Sequence, residues 1–358
     1  MSVLRHDPLT DLWVIIAPER GTRPFDICSQ QLEKSRSAFC PFCPGHEDQT
    51  PLPEIYAILK NGGSRRDTRD VDIMKNSNWD IRVVPNKFPA LQVEVIPKKE
   101  AMGLYDQIDG FGAHEIIIEG QEHIEIPYLS ISQDILILKT VRDRMRDLEK
   151  NPKFRYLSLF KNKGDDAGAS LLHPHWQLIG LPITPSGVAR ELKQCRDYYD
   201  VKDRCLICDI LRQEIKSGER VVETNERFTV LAPFASRFAG ELFISPVPDL
   251  HLPAEKLYCH SFLETDDDLI EALASILQRT LLRLSKKYND LPYNVKLHTS
   301  PFWQYGRNGR GESVKQDYHW HFHIYPRVDK IAGFELDDCY INVIPPENVA
   351  RILREAAI

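Results

Sequence analysis

His173-Pro174-His175-Trp176-Gln177 and His319-Trp320-His321-Phe322-His323-Ile324-Tyr325-Pro326 are the two stretches that decide how the rest of the chain is read. Alternate residues of an extended segment point to one face. His173, His175 and Gln177 therefore share a face in the first stretch, and His319, His321 and His323 share one in the second. Each stretch closes a series of elements that runs in the same order. The first series begins with Cys40-Pro41-Phe42-Cys43-Pro44-Gly45 and passes through an apolar segment at 79–88 and a strand-like run at 115–119. It continues with a turn carrying His123, a helical pattern opening at Ser132, whose side chain can cap, and a strand at 154–160. The second series begins with Cys205-Leu206-Ile207-Cys208 and passes through strand-like segments at 227–234 and 241–245. A turn with His251, a helical pattern from Thr265 and a strand at 294–298 complete it.

Strands joined by short turns, with one long helix in each series, predict an α+β fold built by tandem duplication, with mostly antiparallel sheets and flanking helices. The turn-rich Leu181-Pro182-Ile183-Thr184-Pro185-Ser186-Gly187 sets the expected boundary, giving domains 1–184 and 185–358. At 358 residues there is room for two cores.

A net charge of −6 speaks against a nucleic-acid partner. The sequence holds no apolar run of the roughly 18 residues a membrane helix needs, and its first residues turn polar too early for a signal peptide. The expected compartment is the cytoplasm, with no membrane partner. There, cysteine pairs read as metal ligands rather than as a disulfide framework. Cys28, Cys195, Cys259 and Cys339 are scattered.

Zinc takes four soft or borderline ligands in a tetrahedron, and Cys40/Cys43 supply two thiolates from one knuckle. His123 and His173 complete the expected set, with His114 as a competitor. A metal-bound His173 would stiffen the backbone that presents His175, a nucleophile toward phosphorus when its ring is neutral. Gln177 on the same face can donate an amide hydrogen bond to a phosphoryl oxygen as charge builds. The preceding loop, Asn162-Lys163-Gly164-Asp165-Asp166-Ala167-Gly168-Ala169-Ser170, has the glycines and donors of a phosphate cradle, with two aspartates that are odd beside a phosphate. Arg20 and Arg23 follow an N-terminal strand and suit phosphate recognition. Cys205, Cys208, His251 and His298 form a second candidate zinc set. His319, His321 and His323 read either as a vestigial copy of the active strand or as ligands, since three histidines on one strand face are seldom packing residues.

The His173-Pro174-His175-x-Gln177 motif, within a match that runs nearly the length of the chain, resembles the galactose-1-phosphate uridylyltransferase family of the histidine-triad superfamily. The resemblance implies two histidine-triad-like domains and ping-pong chemistry: UDP-glucose leaves UMP on His175 and releases glucose 1-phosphate, and galactose 1-phosphate collects the UMP. It implies Cys40, Cys43, His123 and His173 as zinc ligands, and His175, Gln177 and Ser170 as catalytic. Arg20, Arg23, Asn86, Asn162, Gly168, Ala169, Ser170 and Gln177 would contact nucleotide and phosphate. Ala169 stands where many members carry a cysteine. Gly333-Phe334-Glu335 resembles the segment that closes over the hexose from a partner subunit, which implies a homodimer and makes Phe334 and Glu335 substrate contacts.

Many members hold their second metal, iron among the options, with a glutamate and three histidines, here Glu191, His298, His321 and His323. A branch with a second Cys₂His₂ zinc is resembled by Cys205, Cys208 and His251. Both sets claim His298, and the cysteine set is preferred because thiolates select zinc. That branch includes an ADP-glucose phosphorylase, the alternative activity. A histidine-triad hydrolase is disfavoured by Gln177, because hydrolases of the superfamily carry a third histidine there. A zinc-stabilised binding protein without turnover is the most distant reading.

Overall fold

The computed structural model describes residues 1–22, 39–76, 78–247, 260–302, 314–328 and 331–358. In chain order its strands are β1 (Val3–Asp7), β2 (Leu12–Ile16), β3 (Glu54–Leu59), β4 (Ser64–Thr68), β5 (Trp79–Pro85), β6 (Lys99–Met102), β7 (Tyr105–Ile108) and β8 (Ala113–Ile118). They continue with β9 (Tyr156–Lys163), β10 (His175–Leu181), β11 (Val221–Thr224), β12 (Phe228–Leu231), β13 (Leu242–Pro246), β14 (Tyr293–His298), β15 (His321–Pro326) and β16 (Tyr340–Asn342).

Eleven of these form one sheet in the order β11-β12-β13-β15-β14-β9-β10-β8-β5-β3-β4, with every neighbouring pair antiparallel. The two series anticipated from sequence meet at its centre, where β9 pairs with β14 and Asn162 lies opposite Asn294. The α+β, mostly antiparallel expectation is met, and the halves share a sheet. A small sheet, β1-β2-β16, ties the N-terminus to the C-terminal region through the parallel β2–β16 pair.

Alternation explains the layering. Leu157, Leu159, Trp176 and Leu178 from the first half, and Val295, Leu297, Phe322 and Ile324 from the second, point to one face. There they meet two helices, Ile131–Glu149 and Asp267–Lys287. The first contributes Ile137, Leu138, Val141 and Met145, and the second Ile270, Leu273, Ile276, Leu277, Leu281 and Leu284. Each such side chain contributes roughly 1.5–3 kcal/mol on burial. The opposite face carries the histidines.

Both helices begin on a side-chain cap. Asp266 accepts the Leu269 N–H at 2.8 Å. In the other helix Ser130, rather than Ser132, is the cap, accepting the Gln133 N–H at 3.3 Å. The helix begins at Ile131, directly after its cap, which puts Ser132 inside the first turn. Among the described residues no helix is long and apolar enough to cross a membrane.

Candidate active site and metal centres

The Cys40–Cys43 knuckle is a tight turn, with Cys43 N–H bonded to the Cys40 carbonyl at 3.3 Å and His46 N–H to the Cys43 carbonyl at 3.2 Å. It places both thiols beside His123 and His173. Cys43 Sγ lies 3.2 Å from His123 Nε2 and 3.7 Å from His173 Nδ1, and Cys40 Sγ lies 3.6 Å from the same Nδ1. Those separations fit the edges of a tetrahedron whose centre is about 2.3 Å from sulfur and about 2.0 Å from nitrogen. His173 gives its other nitrogen, Nε2, to the Gly120 carbonyl at 2.8 Å, the outer hydrogen bond that orients a ligating imidazole. Burial pushes its pKa down to about 4, so the ring is neutral. The four residues thus fit a zinc ion. His114, the competing ligand, is elsewhere.

Two residues on, the His175 Nδ1–H donates to the His173 carbonyl at 2.8 Å. That bond fixes the tautomer and leaves the lone pair on Nε2. Burial lowers the pKa of His175, against this hydrogen bond, and keeps the ring neutral. Phe42 meets the ring edge-on, with centroids 5.3 Å apart, so the knuckle that supplies the thiols also braces His175.

Gln177 is oriented by a residue to which the sequence assigned a different role. His114 Nδ1 accepts the Ala90 N–H at 3.3 Å, which puts its proton on Nε2, 3.0 Å from Gln177 Oε1. With its oxygen so engaged, the Gln177 amide turns its N–H donors outward. Asn86 is anchored beside this group by its backbone N–H, which donates to the His114 carbonyl at 2.8 Å. Asn162 is oriented in the same way: Asn294 Nδ2 donates to its Oδ1 and to the Ala167 carbonyl, both at 2.8 Å, so the Asn162 donors face the loop. The loop closes on two glycines in the left-handed region, Gly164 (φ 81°) and Gly168 (φ 82°); a Cβ on Gly164 would also strike Pro292 at 2.9 Å. Asp165 and Asp166 of this loop are exposed.

Gly168 and Ser170 are exposed on this loop and Ala169 is half-buried. Arg20 is half-buried in a short turn after β2. Phe334 is half exposed, and Glu335 accepts the Ala332 N–H at 3.0 Å. Arg23 and His251 lie outside the described residues.

Beneath β10, on the helix side, Lys161 is fully buried and bridges Glu119 at 2.6 Å and Glu125 at 3.0 Å. Burial pushes the Glu119 carboxyl up to about 7, against the attraction of Lys161. Asp134 is pushed up to about 8, mainly by burial, and keeps one hydrogen bond from Gln278 at 2.6 Å.

In the second half the structure corrects the expected ligand grouping. His298 does not join Cys205 and Cys208. It lies opposite His321 on the β14–β15 pair and gathers with Glu191, His321 and His323. Its Nδ1 is 2.9 Å from both Glu191 oxygens. Burial alone would raise the Glu191 carboxyl, but His298, His321 and His323 outweigh it and hold it down to about 2. Cys205 and Cys208 sit at the start of the helix Leu206–Ser217 and gather with His319, whose Nε2 is 3.7 Å from Cys208 Sγ. The two sets are therefore not rivals, because His319 and not His298 serves the cysteines.

The missing signal was the repeat itself. His319 precedes His321 as His173 precedes His175, and His321 Nδ1–H reaches the His319 carbonyl at 3.1 Å. His260 likewise stands before the short turn Phe262–Glu264 and a long helix, as His123 stands before Ile126–Tyr128 and one, and its charge reaches His319.

Known proteins resemble this chain throughout. A family profile, the N-terminal domain of galactose-1-phosphate uridyl transferase, matches residues 66–185. An ADP-glucose phosphorylase of Arabidopsis thaliana is 32% identical over 99% of this chain and 93% of its own length. A galactose-1-phosphate uridylyltransferase of Thermotoga maritima is 27% identical over 100% and 99%. Among solved structures, the Arabidopsis thaliana ADP-glucose phosphorylase with bound ADP-glucose superposes with a TM-score of 0.79 at 30% identity, all of both chains being covered. A uridylyltransferase structure gives 0.70 at 26%, over 99% and 98%. With both cysteine–histidine clusters, the HPHxQ strand and a relative this similar along its length, the chain belongs to the galactose-1-phosphate uridylyltransferase family of nucleotidyltransferases.

Proposed function

We propose that this protein moves a nucleoside monophosphate between a nucleotide sugar and a phosphate-bearing acceptor through a covalent intermediate on His175, with UDP-glucose as donor and galactose 1-phosphate as acceptor. The observation that carries the reading is the His175 ring: neutral, tied through Nδ1 to the His173 carbonyl and left with a free Nε2 lone pair. Nε2 attacks the α-phosphorus, the bond to the departing phosphate breaks, and that phosphate leaves with the electron pair as part of glucose 1-phosphate. The ring is then cationic, and its Nδ1–H···O=C bond strengthens. The acceptor phosphate reverses the steps. Gln177 and Asn162 direct amide donors at the phosphoryl oxygens, and Arg20, Arg23, Asn86, Gly168, Ala169 and Ser170 belong to the same nucleotide and phosphate subsite.

Cys40, Cys43, His123 and His173 would hold zinc, which would fix the backbone on which His175 stands. Cys205, Cys208 and His319, with His260 in the place His123 takes in the first half, would hold a second zinc. Glu191, His298, His321 and His323 would hold a further cation, for which iron is a candidate. Phe334 and Glu335 would reach the hexose of a partner subunit in a homodimer. Apolar side chains exposed at Phe88, Ile96, Met102, Leu104 and Tyr105 offer such a dimer surface.

ADP-glucose phosphorolysis is the second reading. The 32% identity to a phosphorylase and the cysteine-bearing second cluster favour it, whereas the glutamate–histidine cluster favours the uridylyl reading. Single-turnover incubation with UDP-glucose and with ADP-glucose, following glucose 1-phosphate release without acceptor, separates them. A stoichiometric burst with UDP-glucose is expected. A burst with ADP-glucose alone moves the protein to the phosphorylase reading, and no burst with either removes covalent transfer from these donors.

A further inference from the structure

Gln177, Phe160, Lys296 and His323 are successive members of one cross-strand row, running β10, β9, β14 and β15. Residues directly opposite in a ladder share a face, so Lys296 projects onto the face that carries His175 and Gln177. With strands about 4.8 Å apart, its Cα lies about 10 Å from that of Gln177 with Phe160 between them, a separation comparable to the reach of an extended lysine side chain and one phosphate.

Lys296 is half-buried, and among the described residues it makes no hydrogen bond and no ion pair. The charges that reach it are Glu191 and Arg237, opposite in sign. Both are committed elsewhere: Glu191 to His298, and Arg237 to Glu241 at 3.2 Å and to Tyr325 at 2.7 Å. An ammonium that is partly desolvated and unpartnered is costly to maintain. Its three donors lack an anion.

We infer that Lys296 binds the phosphate that is not transferred: the phosphomonoester of the hexose 1-phosphate that leaves and arrives, or inorganic phosphate in its place. This rests on the proposed transfer through His175 and assigns a specificity residue to its acceptor side. Gln177 and Asn162 hold the phosphoryl group bonded to His175. Lys296 offsets the charge on the oxygen from which that group departs.

The test is equilibrium binding, which needs no turnover. Glucose 1-phosphate and inorganic phosphate are each titrated calorimetrically into the metal-loaded wild-type, Lys296→Met and Lys296→Arg chains, with thermal midpoints as a folding control. Loss of one charge-assisted contact predicts 10- to 100-fold weaker binding in Lys296→Met and near-wild-type binding in Lys296→Arg. Weakening of the sugar phosphate alone identifies the phosphomonoester. Weakening of both identifies a general phosphate site. Unchanged affinities in a folded Lys296→Met, or equal losses in Lys296→Met and Lys296→Arg, overturn the assignment. Covalent labelling of wild type by an α-labelled donor is scored separately. If no label forms and the affinities still fall, the transfer reading fails and the phosphate site stands.

Discussion

His175 and His321 occupy matching places in the two halves, and what surrounds them is opposite in character. Each stands two residues after a cysteine-associated histidine and donates Nδ1–H to that residue's carbonyl. Around His175 the neighbours on the sheet are amides, Gln177 and Asn162, whose donors suit an anion. Around His321 stand the imidazoles of His298 and His323 on the sheet and the carboxylates of Glu191, from the helix Ser186–Lys202, and Glu241, a set that suits a cation. Access differs too: Phe42 touches His175 by an edge, whereas Phe243 lies flat on His321 at 4.5 Å and leaves it fully buried. One backbone arrangement carries an imidazole with a free Nε2 in one half and a closed glutamate–histidine cluster in the other, and the difference is made by the side chains packed around each ring.

The strongest way to break this comparison is to exchange the roles. His175→Ala should lower covalent nucleotidylation on the order of 10⁴-fold or more, whereas His321→Ala should leave labelling of His175 within about tenfold. Intact-mass spectrometry after incubation with donor reads both, and label persisting in His175→Ala would end the assignment of the nucleophile. Next in size, Cys43→Ser and Cys208→Ser should each remove about one zinc per chain. Turnover should fall about 10- to 100-fold only in the first, while the second lowers thermal stability. Equal losses of turnover would mean that both clusters support His175.

His114→Leu sharpens the role of Gln177. With its oxygen no longer held, kcat should fall about tenfold with little change in KM, and a loss confined to KM would contradict the orienting role. The smallest effect concerns the core under β10. The Asp134 carboxyl is pushed up to about 8, against about 3.9 in the unfolded chain. The folded protein therefore holds a proton that the unfolded chain gives up, and stability from this group falls as pH rises from about 4 to about 8. Urea midpoints should be lower at about pH 8.5 than at about pH 6, and Asp134→Asn should flatten the difference. An unchanged slope in the variant would place the dependence elsewhere.

The active strand and the cysteine knuckles were legible because their chemistry is local: alternation sets which side chains share a face, and a Cys-x-x-Cys turn pairs its own thiols. The grouping of ligands in the second half was not. It depends on His298 lying across from His321, a register between strands separated by a long stretch of chain, and a sequence does not print registers. The helix expected from the sequence to open at Ser132 is capped in the structure by Ser130 for a related reason, since hydrophobic period locates a helix only to within part of a turn. His114 was legible as a histidine near the site and not as a guide for Gln177, because that role depends on the β8–β10 pairing. Single continuity of the sheet through β9 and β14 likewise follows from pairing alone.

That seam between β9 and β14 has a consequence for inheritance. Where two identical chains pair to form such a sheet, any substitution in one appears in the other, and a change that seals one histidine seals both. Joined within a single polypeptide, the copies are separate targets of mutation. One could acquire carboxylates and a flat phenylalanine lid while its twin kept its amides, so the pair could become unlike without either ever being lost.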